Sequence, residues 1–220
     1  MKAFFRELII TAVLALSIFF LLRFTIDTVI ILGISMEPSF HSGQRILVSK
    51  VAYRIHEPER GDVIVFKPSN DEKGEFIKRI IALPRDTVEV KDGAVYVNGI
   101  ELKEPYIKSP PGYPLTKQKI PANNYFVLGD NRNRSNDSHN GWVVPRQNIV
   151  GKAWISIWPP PKWGLVPEHS LSDQLVSLIN SYLVQQYIYN VALGMNLSGL
   201  PAGRTASVLA PVPILVAARW

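Results

Sequence analysis

The sequence predicts a mainly β protein: one N-terminal transmembrane helix, a β-rich domain behind it, and a helix toward the C-terminus. Three observations carry that expectation. Residues 8–22, "LIITAVLALSIFFLL", form an unbroken apolar run without charge. From Thr28 to Trp158, short β-branched runs alternate with Gly, Pro, Asn and Asp, the punctuation of strands and turns. Beyond Pro161, Leu171, Leu175, Leu178 and Tyr182 recur at helical spacing. The chain therefore divides into an N-terminal tail and anchor (1–28), a folded domain (29–163) and an extension (164–220).

The apolar run alone rises about 22 Å, short of the roughly 30 Å hydrocarbon core of a bilayer. Phe4 and Phe5, with Lys2 and Arg6 reaching back to the surface, extend it to spanning length. A cleaved secretory leader has a similar shape, but no small-x-small site follows before Arg23. A buried core helix would need helical partners, and β patterning follows instead. Lys2 and Arg6 place the N-terminus on the cytoplasmic side and the domain on the trans side.

The strands come in order. "TVIIL" and "RILVSKVAY" are the first two, and "GDVIVFKPS" is a third, ended by Pro68. The polar loop "NDEKGE" precedes "FIKRIIAL". Val88–Val90 and Ala94–Val97 form a hairpin across Asp92-Gly93, with a second turn at Asn98-Gly99. Residues 103–124 hold five prolines and little periodicity, so they read as a long irregular excursion. "YFVLGD" restores strand character, and "NRNRSNDSHNGW" has the composition of a solvated loop. "IVGKAWISIW" is the last strand. Ser170 with Asp173 forms a capping-box pattern at the start of the C-terminal helix. The final twenty residues are apolar but interrupted by proline, too short to span a bilayer.

Composition narrows the chemistry. With no cysteine, disulfides, thiolate catalysis and Cys-based zinc sites are excluded. His41, His56, His139 and His169 show no metal-ligand spacing, so no metal and no cofactor are expected. The net charge of +6 suits an anionic membrane surface as well as a nucleic acid.

Two residues could do nucleophilic work. Ser35 sits in "VIILGISMEPSF", where Gly, Ser and Pro interrupt a β-prone run. That is either an ordinary turn or a serine held at a strand end for chemistry. A serine without a well-placed histidine needs another base, and a lysine can serve. In "EFIKRIIAL", alternation puts Lys78 on one face with Phe76 and Ile80, and Arg79 on the other with Ile77 and Ile81. Apolar neighbours desolvate an amine and lower its pKa, and a neutral lysine can accept a proton. The alternative is a Lys78 that snorkels at a strand edge beside an exposed Arg79. The residues alone leave both pairs of readings open.

The ordered set "GISMEPS", "GDVIVF", "KRIIALPRD" and "GDNRNRSNDS" resembles the membrane-bound type I signal peptidases, Ser/Lys proteases. The resemblance covers residues 1 to about 163. It implies a folded-sheet or Greek-key-like catalytic domain with Ser35 as nucleophile and Lys78 as general base. It implies that Ser135 hydrogen-bonds and orients the lysine amine, and that Asp137 braces that loop, so the polar run should be ordered. It further implies pockets lined by Ile31, Met36, Phe40, Phe76 and Ile77. These would select preproteins with small residues at minus one and minus three, bound as an added strand. The Ser35 backbone N–H would be one oxyanion donor.

Four features depart from the pattern. Gly33 stands where many members carry a serine two residues before the nucleophile, leaving the second oxyanion donor undefined. Arg85 replaces the glycine of "LPGD", so a type I turn is expected in place of type II. His139 stands where an arginine usually follows "DS", and Gly141-Trp142 reverses the usual order. Two rival functions stand beside it: an inactive membrane-anchored binding protein of this fold, and a self-cleaving DNA-binding repressor. The repressor would need an N-terminal helix-turn-helix where this chain has its apolar run, so nucleic acid is not an expected partner.

Overall fold

The computed structural model describes residues 2–68, 74–169 and 171–192. Helix α1 (Lys2–Thr25) opens the chain, and every side chain from Phe4 to Phe24 is exposed. A helix this apolar on all sides needs a nonaqueous neighbour, and Phe4–Thr25 is long and apolar enough to cross a membrane. Its hydroxyls do not stand against that. Thr11, Ser17 and Thr25 donate to the carbonyls of Glu7, Val13 and Leu21 at 2.7–2.9 Å.

Strand β1 (Ile26–Ile30) follows without a linker and pairs antiparallel with β2 (Arg45–Ser49), Ile26 opposite Ser49. The second strand was expected to reach Tyr53. It stops at Ser49, and Ala52–Ile55 form one helical turn, α2. The cause is local bonding: Lys50 N–H donates back to Thr25 O, and the Tyr53 hydroxyl reaches Asp62 at 2.9 Å. Next come β3 (Val63–Phe66) and β4 (Phe76–Ala82), then the meander β5 (Thr87–Lys91), β6 (Ala94–Val97) and β7 (Ile100–Glu101). Asp92 and Asn98 take φ of 51° and 54° ahead of Gly93 and Gly99, as type I′ hairpin turns require.

The excursion at 103–124 is not wholly irregular. It contains β8 (Leu115–Lys119), paired with β5. An edge strand reading "LTKQK" buries little, so it lacks the alternation that would announce it. The chain continues through β9 (Asn124–Leu128), β10 (Val144–Pro145), β11 (Ile149–Trp158), β12 (Gly164–Leu165) and α3 (Leu171–Ala192). One antiparallel sheet runs β1-β2-β11-β3-β4-β9-β10, with β12 on β11; the other runs β7-β6-β5-β8.

A core joining Ile81, Val88, Val95, Phe126 and Leu128 also takes Leu171 and Leu175 from the first turns of α3. A second core gathers Ile31, Met36, Phe40, Val63, Val65 and Ile77. The polar loop at 69–73, the Ser170 cap and the tail from 193 lie outside the described residues.

The turn at Leu83–Asp86 corrects the sequence reading. Asp86 N–H closes it onto Leu83 O at 3.1 Å, and Arg85 keeps φ +74°, the left-handed position of a type II turn. A side chain there costs about 1–2 kcal/mol. Asp86 offsets the strain: its carboxylate accepts from Leu83 N–H, Arg60 and Asn98 at 2.6–2.8 Å.

Candidate active site

The nucleophile turn grows out of β1. Ile31 N–H to Gln44 O and Gly43 N–H to Ile31 O extend the β1–β2 ladder, and the chain then breaks away at Gly33. Gly33 has φ +92°, which a side chain would strain, and its N–H donates to Ser42 Oγ at 3.3 Å. The turn is pinned from beneath by Met36 and Phe40, 1% and 2% exposed. Across it, Asn131 donates its backbone N–H to Ser35 O at 3.0 Å and its amide to Ile34 O at 3.1 Å. Ser35 is thus fixed at backbone level by a residue from the distant "GDNR" loop.

Lys78 arrives from the middle of β4. It is 5% exposed, and its Nζ donates to Ser35 Oγ at 2.9 Å and to Ile77 O at 3.0 Å. The Phe76 ring lies 5.6 Å from the amine. Burial pushes its pKa from 10.5 down to about 8, against Asp137 and Asp130, which pull it up. Alternation along β4 holds, with Ile80 and Phe76 in one apolar cluster and Ile77 in another. An exposed Arg79, the alternative reading, is wrong. Arg79 is 1% exposed and forks onto Asp130 through Nε and Nη2 at 2.9 and 2.7 Å, with Nη1 on Gly61 O at 2.8 Å. Asp130 also accepts from Ser39 Oγ, so one buried carboxylate ties β4 to the nucleophile turn.

Removing one partner of such a pair strands the other charge without water. Asp130→Ala is expected to cost about 3–5 kcal/mol in urea unfolding of the detergent-solubilised protein. A loss below about 1 kcal/mol would show that the pair does not hold the turn.

The polar run is ordered, as two 3₁₀ turns at Arg132–Arg134 and Ser138–Asn140. Asp137 is fully buried; it accepts from Gly129 N–H at 2.9 Å and from the His139 ring at 2.7 Å. Gly129 has no room for a side chain, since a Cβ would overlap both Ser135 Oγ and Ser35 O. Ser135 is therefore beside the nucleophile, but its hydroxyl is buried without a hydrogen-bond partner among the described residues. The expected bond from Ser135 to the lysine amine is not made here, because the amine points to Ser35 and Ile77 O instead.

Of the five pocket residues, Ile31, Met36, Phe40 and Ile77 pack in the core under the turn, while Phe76 packs against Phe66 in a different cluster. Sequence reasoning missed Asn131, Asp130 and Arg79. The signal for Arg79 was its place between Lys78 and Ile80 in a strand with no polar face.

Residues 3–158 match the family described as signal peptidase, peptidase S26. The chain belongs to that family. Among its relatives, a probable signal peptidase I-1 of Synechocystis is 44% identical over 169 residues, 73% of this chain and 86% of the relative. A probable signal peptidase I-2 of the same organism is 46% identical over 139 residues, 61% of this chain and 64% of the relative. A signal peptidase I of Bacillus licheniformis is 36% identical over 166 residues, 70% of this chain and 87% of the relative. The match thus spans most of two of these relatives and just under two thirds of the other. Signal peptidase family membership makes the chain a serine peptidase of mostly β fold with an N-terminal apolar helix.

Proposed function

We infer that this chain is a membrane-anchored endopeptidase that removes signal peptides from exported preproteins, with Ser35 as nucleophile and neutral Lys78 as general base. Family membership supports the substrate class. The observation that carries the residue roles is the 2.9 Å contact between Lys78 Nζ and Ser35 Oγ, made by an amine whose pKa is about 8.

The chemistry follows from that contact. The neutral amine takes the Ser35 hydroxyl proton as Oγ attacks the scissile carbonyl carbon. The oxyanion that forms is met by the Ser35 backbone N–H, which makes no hydrogen bond to the described residues. As the tetrahedral centre collapses, the ammonium gives its proton to the leaving amine. Lys78 then deprotonates a water that cleaves the acyl-enzyme, restoring both groups. Ser135 and Asp137 support this arrangement from behind.

Ile31, Met36, Phe40, Phe76 and Ile77 are the residues proposed to restrict the pockets. Met36 and Phe40 are buried beneath the turn, and side chains of that bulk would leave room only for small substrate residues. Replacing Ala by Phe at minus one of a preprotein is expected to slow cleavage at least about a hundredfold, from lost apposition of the scissile bond. Equal rates for Ala and Phe would end the signal-peptide reading, though not the peptidase reading.

Lys2 and Arg6 support a cytoplasmic N-terminus, with α1 in lipid and the peptidase domain on the trans side. Ser35 follows the end of α1 by ten residues, at most about 35 Å of extended chain, so the site lies near the membrane surface. Protease added to the trans side of sealed vesicles is expected to digest the domain and leave α1 protected. Release of the whole protein by a high-salt wash would overturn the spanning anchor.

A further inference from the structure

Behind the dyad lies His139, a side chain that the reaction above does not use. The buried Asp137 carboxylate accepts from Gly129 N–H at 2.9 Å, from His139 N–H at 3.2 Å and from His139 Nδ1 at 2.7 Å. Among the described residues, the His139 ring is its one side-chain partner. That ring lies flat on Tyr113, centroids 4.1 Å apart and planes 19° apart. Tyr113 belongs to the proline-rich excursion, which is tied to the same loop: Gly112 N–H donates to Asn133 Oδ1, and Asn133 Nδ2 donates to Pro110 O. The ring therefore cannot swing off Asp137 without disturbing that packing. At the other end of the carboxylate is Gly129, in contact range of both Ser35 O and Ser135.

We propose that His139 is a positioning residue of the dyad: it braces Asp137, keeps Gly129 seated beneath Ser35, and sets how much of the Asp137 charge reaches Lys78. The proposal rests on the Ser35/Lys78 reading. Its electrostatic half has a definite sign. Asp137 is foremost among the charges that pull the Lys78 pKa upward against burial. A carboxylate bonded to an uncharged donor keeps its full charge, whereas a cation beside it cancels part of that field. A fixed positive charge at position 139 should thus make the Lys78 amine more acidic.

The other ionisable groups around the ring are already committed. The Tyr113 phenol stays neutral, held above its usual range by burial and then by Asp137. Arg132 is closed on Glu104 by two bonds, and Asp130 on Arg79 by two. Substitution at position 139 is therefore a way to change the net charge beside Asp137 without breaking those pairs.

The test uses full-length protein in detergent, with preprotein cleavage followed across pH. His139→Ala is expected to lower kcat about tenfold with KM little changed, through a displaced dyad. His139→Gln, which can still donate to Asp137, should recover part of that loss. His139→Arg should also recover rate, with its ascending limb centred about half a pH unit or more below that of His139→Gln. Wild-type kcat in His139→Ala would overturn the brace, and a shared midpoint for the Arg and Gln variants would overturn the charge coupling. If the Ala variant fails to fold, the Arg and Gln comparison still decides. Equal cleavage by wild type and Ser35→Ala is a separate outcome, which removes the dyad itself.

Discussion

Ser35→Ala is expected to lower preprotein cleavage at least about a thousandfold while leaving the protein folded. The methyl group keeps the turn, because the bond from Asn131 N–H to the Ser35 carbonyl survives the substitution. What disappears is the Oγ acceptor 2.9 Å from Lys78 Nζ, one hydrogen bond of about 1 kcal/mol net. Activity and stability should therefore separate: near-total loss of the first and a midpoint shift of only a few degrees in the second. Ser35→Cys should keep a small residual rate, since a thiol can attack the same carbonyl. Cleavage by Ser35→Ala at the wild-type rate would remove Ser35 from the chemistry.

How far the site was legible depends on what kind of information each residue needed. Lys78 could be suspected from its own strand, since Phe76 and Ile80 share its face and desolvation follows from that alone. Arg79 could not be settled the same way. Its face might have met water, and it is dry only because β4 is an interior strand, between β3 and β9, with a core on each side. The partner that makes its burial tolerable, Asp130, is 51 residues away in a loop whose polar composition suggests solvent.

Polarity misled there for a physical reason. Asp130, Asn131, Arg132, Asp137 and Ser138 are buried because they bond to one another's neighbours and to backbone, which hydropathy cannot register. The Arg85 turn failed for a related reason. A local rule favoured type I, and long-range bonds from Arg60, Asn98 and Ile120 to the turn outweighed it. The type I′ hairpins needed no such help and were legible from two dipeptides.

Lys78→Met is the variant on which the buried-base account depends most. Inactivation by about a thousandfold or more is expected, since among the described residues Lys78 is the one basic group bonded to Ser35 Oγ. The stability effect has the opposite sign from most core substitutions. Lys78 falls from 10.5 to about 8 on folding, so the folded state disfavours its charged form by about 3 kcal/mol. That penalty is complete below pH 8, where the amine is charged in both states. It fades as pH rises from 8 to 10.5, because the folded lysine is then already neutral while the unfolded one loses its proton. Methionine has similar length and no charge. It forfeits the bonds to Ser35 Oγ and Ile77 O, at about 1 kcal/mol each, but removes the desolvation cost. A net gain of about 1 kcal/mol at pH 7, reversing by pH 10.5, is the expected result in urea titrations at the two pH values. The wild-type rate should rise with pH about a midpoint near 8, the ascending limb of an amine that must be neutral to act. An inactive Lys78→Met protein clearly less stable than wild type at pH 7 would mean that the lysine is held charged by Asp137 and Asp130, as an ion-pair partner and not as a base.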